Sequence, residues 1–205
     1  MKRKIVIAVL GLSAAVVAAI WFYNQFDAMN RRAVFKANEK ITAQIDSLNR
    51  YNQQKADSLK RFNPDPLLTI FEGLQRADEL TGYIEYTKKV IAEKSHHDLL
   101  QSADSLLLSE PLSKKVSDVF QGSDRKDYNA EGLKKQVNRF RIFSEMYTGV
   151  SIEELNRLTN EAIAEDFCTN EGYACYSKII VSLNRIILAL EKHKTRLLTD
   201  KFDEE

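Results

Sequence analysis

The run IVIAVLGLSAAVVAAIWFY, Ile5–Tyr23, decides how this chain is read. It carries no charge, and its 19 residues at about 1.5 Å each extend roughly 28 Å, close to the hydrocarbon thickness of a bilayer. Lys2, Arg3 and Lys4 precede it, and Trp21, Phe22 and Tyr23 close it. Two readings are open. As a signal peptide, the run offers the small residues Val17-Ala18-Ala19 ahead of a cleavage site. As a signal anchor, it exceeds the usual apolar core and ends in aromatic side chains of the kind that settle at a membrane interface. We adopt the anchor, which accounts for both the length and the aromatic end. No cysteine lies near the run, so a lipoprotein is excluded.

This divides the chain into a cytoplasmic tip (1–4), a transmembrane helix (5–23), a stalk continuing into the first bundle helix (24–62), and the remainder of an extracytoplasmic bundle (63–205). Gly11, Ala15 and Ala19 fall on one helical stripe, where small residues let a second helix approach closely. The span holds no Asp, Glu, Lys or Arg that could relay an ion.

Only 7 glycines and 3 prolines occur in 205 residues, about half of average usage, which disfavours sandwiches, barrels and dinucleotide-binding folds and favours long helices. The net charge of +1 conceals a division. The tip takes three of the 30 basic residues, leaving 27 against 29 acidic groups from Asn24 onward. Nothing supplies the basic face that nucleic-acid binding requires.

Outward from the span, Ile41, Ile45, Leu48, Leu59 and Phe62 form a stripe that Asn52 and Lys55 interrupt. This is either a dimer seam whose buried polar residue sets register or an ordinary amphipathic helix. The absence of breakers predicts one long helix from the span to Phe62, ended by Asn63-Pro64-Asp65-Pro66. A second helix, antiparallel to the first, follows on Leu67, Ile70, Leu74, Ala77, Thr81, Ile84, Lys88 and Ile91. Val116–Phe120 reads as a short helix. A third long helix covers about Asn129–Tyr147 with Leu133, Val137, Phe140, Phe143 and Tyr147 on one face, and Gly149 stops it. Ser151 and Glu154 form a capping box for a short helix to about Asp166. The last helix, Tyr176 to about Thr199, presents Ile179, Ile180, Leu183, Ile186, Ile187, Leu190 and Leu197. The expectation is all-α: one N-terminal transmembrane helix followed by an extracytoplasmic four-helix bundle with two short extra helices.

Chemistry is sparse. Cys168 and Cys175 flank a Gly-containing loop and read as a disulfide in an oxidising compartment, or as free thiols in a reducing one. His96-His97 point about 100° apart on a helix, whereas a metal pair favours i, i+4 spacing. His193 stands beside Lys192, Lys194 and Arg196, where cations complement the C-terminal helix dipole. Glu161, Glu165 and Asp166 form an acidic patch of the kind found on surface helices. No phosphate loop, GxSxG elbow or HExxH occurs, so no catalytic residue, cofactor or metal is expected, and the chain does not read as an enzyme. The absence of a second apolar run disfavours a transmembrane receptor. A cleaved, soluble periplasmic binding or scaffold protein is the alternative.

Several short stretches resemble the gliding-motility and type IX secretion inner-membrane protein M family. Phe26-Asp27-Ala28-Met29-Asn30 is similar to its Phe-x-x-Met-Asn after the span. Tyr83-Ile84-Glu85-Tyr86-Thr87-Lys88 is similar to its Tyr-Ile-x-x-Leu-Lys, Asn129–Phe140 with Gly132 to its Gly-led helix, and Glu171-Gly172-Tyr173 to its turn into the last bundle helix. The resemblance implies a homodimer in the inner membrane, single-pass, with the N-terminus cytoplasmic and the bulk periplasmic. It also implies a partner, a polytopic L-type ring subunit driven by the proton gradient, and a role in protein transport or gliding. The β-rich periplasmic domains of that family have no counterpart here, so the resemblance implies a short relative that passes motion to another protein.

Overall fold

The computed structural model describes residues 2–61, 68–95, 119–120, 127–148, 153–163 and 174–199. Among them the chain is all-α with no strand. The helices are α1 (Lys2–Lys60), α2 (Leu68–Ser95), α3 (Ala130–Phe143), which runs into a π-helical turn (Ser144–Thr148), α4 (Glu153–Ile163) and α5 (Ala174–Thr199).

α1 is continuous over 59 residues, about 89 Å at 1.5 Å per residue. Gly11 is its one glycine and it contains no proline, so nothing in it removes a hydrogen bond or invites a kink. The expected single helix from the apolar run to the Asn63–Pro66 corner is therefore present; the corner itself lies outside the described residues. Asn129 caps α3, its Oδ1 accepting from the Gly132 N–H at 2.8 Å.

Cross-helix contacts fix the directions. Asn38 meets Asn184 and Asn52 meets Glu191, so α1 and α5 run parallel. Lys88 meets Asn184 and Asp78 meets Lys194, so α2 opposes α5, and hence α1, as the tight corner predicted. Tyr83 meets the start of α3 while Arg76 lies over Phe143, so α3 opposes α2.

α5 sits at the centre. Between 179 and 199 only Arg185, Lys192 and Arg196 are exposed. Ile179, Leu183, Ile186, Ile187 and Leu190 are fully buried in one core with Ile84, Ile91, Phe120, Leu133, Val137 and Leu155. A second cluster of Leu59, Ile70, Leu74, Leu197 and Leu198 closes the end where α1 stops and α2 starts. A helix buried on nearly every side is normally apolar all round. α5 departs from this, because Asn184, Glu191, His193 and Lys194 are also buried.

Candidate functional site

The buried polar residues of α5 define the chemistry inside this bundle. Polar groups taken out of water cost several kcal/mol unless paired, and α5 pairs most of its own across helices. In the deeper layer, Asn52 Nδ2 donates to Glu191 Oε2 and to the Glu191 carbonyl, both at 2.9 Å, and Asn52 Oδ1 accepts from Thr195 Oγ1 at 2.8 Å. Lys194 Nζ donates to Glu191 Oε1 at 2.6 Å and pairs with Asp78 on α2, tying three helices together. Glu191 and Lys194 are 2% and 4% exposed.

A second layer lies two heptads back along α1. Asn184 Nδ2 donates to Asn38 Oδ1 at 2.7 Å, and Asn184 Oδ1 accepts from Lys88 Nζ at 2.9 Å, with Glu85 completing the cation's coordination. Asn38, Ile45, Asn52 and Leu59 thus form one heptad row against α5. Asn52 is a cross-helix ligand within a single chain, so the polar break in the α1 stripe is satisfied by α5 and requires no second copy. A buried amide of this kind penalises other registers, because a one-heptad slip would leave it unpaired.

His193, which the sequence places beside Lys192, Lys194 and Arg196 near the C-terminal turn, lies in the interior. α5 continues to Thr199, and this face of it turns toward α3, so the ring is buried at 4% exposure and meets Phe140 edge-on at 5.4 Å. Burial, assisted by the Arg196 charge, lowers its pKa to about 4. Its Nε2 lies 3.3 Å from Ser144 Oγ, the first residue of the π-turn, while Nδ1 is buried without a hydrogen-bond partner. Ser144 continues the buried row Leu133, Val137 and Phe140 of α3 and so faces α5. Beside it a cleft of about 350 Å³ is lined by the first turn of α4 (Glu153, Glu154, Leu155) and by Leu190, His193 and Arg196 of α5.

The start of α3 packs tightly on α2. Tyr83 Oη accepts from the Tyr128 N–H at 2.7 Å, and the rings of Tyr83 and Tyr128 stack at 4.8 Å. Tyr128 adopts φ 61°, a conformation unfavourable for a bulky residue. Burial raises the Tyr83 phenol above its ordinary value. A Cβ at Gly132 would collide with Tyr83 Oη, so two of the stretches that carry the family resemblance touch each other. Gly132→Ala, ordinarily worth up to about 1 kcal/mol of added helix stability, should instead cost roughly 1–2 kcal/mol by overpacking. In a Tyr83→Phe background the same change should be neutral or stabilising. Thermal unfolding of the two singles and the double measures this coupling, and a higher midpoint for Gly132→Ala alone would refute the collision.

The residues singled out in the sequence are placed as follows. Ala19, Trp21 and Phe22 lie on α1 and are exposed, with the Trp21 and Phe22 rings edge-to-face at 5.2 Å. Gly11, Ala15 and Tyr23 lie on the α1 backbone, but their surroundings fall outside the described residues, as do the side chains of 5–18. Cys168 and the His96-His97 pair fall outside them, as does the side chain of Cys175 at the start of α5. Glu161 pairs with Arg157 on the surface of α4, while Glu165 and Asp166 lie outside the described set. Among the described residues, no helix is long and apolar enough to cross a membrane, and no group of three His, Cys, Asp or Glu is placed to hold a metal. No family model, curated protein or solved structure matches the chain.

Proposed function

We propose that this chain is a membrane-anchored, extracytoplasmic helical-bundle subunit that acts by assembly and by transmitting movement, without catalysis. In this reading Ile5–Tyr23 is a single-pass span with the basic tip in the cytoplasm, and α1, α2, α3 and α5 form a four-helix bundle with α4 alongside. The observation that carries it is the unbroken α1. The helix containing the uncharged run also enters the bundle, where Asn38, Asn52 and Leu59 hold it against α5. Rigid elements of this kind carry coupling between distant sites, so a tilt or rotation of the span would reach the bundle without a hinge to absorb it. The resemblance to the M proteins of gliding and type IX secretion extends this to a homodimer, packed through Gly11, Ala15 and Ala19, inside a polytopic inner-membrane partner.

The test is purification of the full chain from membranes in mild detergent, with mass spectrometry of what accompanies it. A stoichiometric polytopic partner is expected. Recovery of a lone monomer, or of a mature chain beginning at Ile20, would overturn the assignment. Cysteines introduced at Gly11 and Ala15 should crosslink two copies in native membranes, whereas cysteine at Val9 or Val17, off the small-residue stripe, should do so far less.

A further inference from the structure

α1 carries a face that its own bundle leaves uncovered. Alternating steps of four and three residues from position 33 to position 58 follow one line along a helix. In α1 that line passes through Ala33, Lys40, Gln44, Ser47 and Tyr51 to Ser58, and every residue on it is exposed. It is distinct from the row of Asn38, Asn52 and Leu59 that the bundle covers. Val34, Ile41 and Leu48 lie between the two and are half-buried, so apolar surface borders the line. Followed back by the same steps, the line takes in Met29 and Phe22, each 66% exposed, and joins the small-residue stripe at Ala19 and Ala15. Charge also sets it apart. Over residues 33–58 of α1 the acids Glu39, Asp46 and Asp57 all lie off the line, and Lys40 is the one charge on it.

We infer that this line is the docking surface for a second copy of the chain, α1 against α1, parallel and in register outside the membrane. Two identical helices paired about a twofold axis set each seam residue opposite its own copy. An acid or base there would meet its like, so a self-pairing face must be poor in charge, whereas a face for a different protein is under no such constraint. The polar residues on the line suit self-pairing in another way. The Gln44 amide and the hydroxyls of Ser47, Tyr51 and Ser58 each both donate and accept, so each can bond to its own copy. Ala33 lets the two backbones approach, and the long Lys40 stem carries its ammonium out to water. A seam this polar is weak in isolation. It is sufficient where a shared membrane tether raises the effective concentration of the second copy. The parallel orientation rests on the proposed function, in which both spans lie in one membrane; the residues of the seam follow from α1 alone.

Oxidative crosslinking of the full chain in native membranes tests it, scored against the parent with its own Cys168 and Cys175. Ser47→Cys should give a crosslinked dimer in about tenfold greater yield than Thr42→Cys, which is equally exposed but on the opposite side of α1. Added to Ser47→Cys, either Gln44→Glu or Gln44→Lys should lower that yield about threefold or more. Co-expressed with different tags, those two variants should crosslink to each other in preference to themselves, an outcome that requires residue 44 to face residue 44. Equal yields at positions 42 and 47, capture of a different protein by Ser47→Cys, or no preference of the Glu variant for the Lys variant would each overturn the proposal. Crosslinking through Gly11→Cys without any through Ser47→Cys would remove this seam while the membrane dimer stands. The reverse pattern would keep the seam and remove the packing of the spans.

Discussion

Lys194→Met should lower the thermal midpoint by roughly 10 °C, corresponding to a loss of about 3–5 kcal/mol. The methionine fills a similar volume, so the effect is not a cavity. It arises because the Glu191 carboxylate, 2% exposed, is left in the interior without its cation. Among the described residues, Asn52 Nδ2 is then the side-chain donor left to that carboxylate. Neutralising the second partner should reverse most of the loss: Lys194→Met with Glu191→Gln should return to within about 1–2 kcal/mol of the parent, since a buried pair is costly to break and inexpensive to replace. Thermal unfolding followed by circular dichroism reads both variants. A single variant within about 1 kcal/mol of the parent, or a double variant no better than the single, would show that water reaches this layer.

The second large effect is a dependence on pH. The folded pKa of His193 is about 4, below the ordinary value of 6.5. The unfolded chain therefore binds this proton more readily than the folded one. The stabilisation is complete above about pH 7, and is lost as the pH falls from 6.5 toward 4. The full difference corresponds to about 3 kcal/mol, of which about 2.5 is lost between pH 7.5 and pH 4.5. His193→Gln keeps a hydrogen-bonding group toward Ser144 and has no proton to gain. The stability gap between parent and variant should thus change by about 2.5 kcal/mol over that interval, while the titration of carboxylates common to both cancels. Parallel stability profiles would mean that the ring is hydrated in the folded state.

Periodicity made most of the packing legible. Ile70, Leu74, Ala77, Ile84 and Ile91 on α2, Leu133, Val137 and Phe140 on α3, and seven residues from Ile179 to Leu197 on α5 were expected to face the core and are buried. Phe120, at the end of the predicted short helix, is fully buried. Helix starts were legible where the chain carries a cap, as at Asn129. The π-turn was not, because Ser144–Thr148 continues the same polar and apolar alternation as α3 and only the extra residue per turn distinguishes it.

The polar layers were half visible. Asn52 stood out as an interruption in an apolar row, but its partners Glu191 and Thr195 lie 139 and 143 positions away. Nothing local in α5 separates Glu191 and Lys194 from an exposed pair of the i, i+3 kind. The burial of His193 is hidden for the same reason, since Lys192, Lys194 and Arg196 flank it and its contacts with Phe140 and Ser144 come from another helix. The row Asn38, Ile45, Asn52, Leu59 was the available signal: an amide recurring at a core position of a heptad calls for a polar partner on another helix.

By itself, then, the sequence determined the helical class, the uninterrupted α1, the reversed direction of α2 and the apolar faces, because each depends on short-range periodicity and on where glycine and proline fall. The tertiary structure decided that α5 occupies the centre and that α1 runs parallel to it. It also decided that an amide, an ion pair and an imidazole are buried there. Those outcomes depend on which faces meet across long sequence separations, where a polar side chain's free energy is set by its partner and not by its neighbours in the chain.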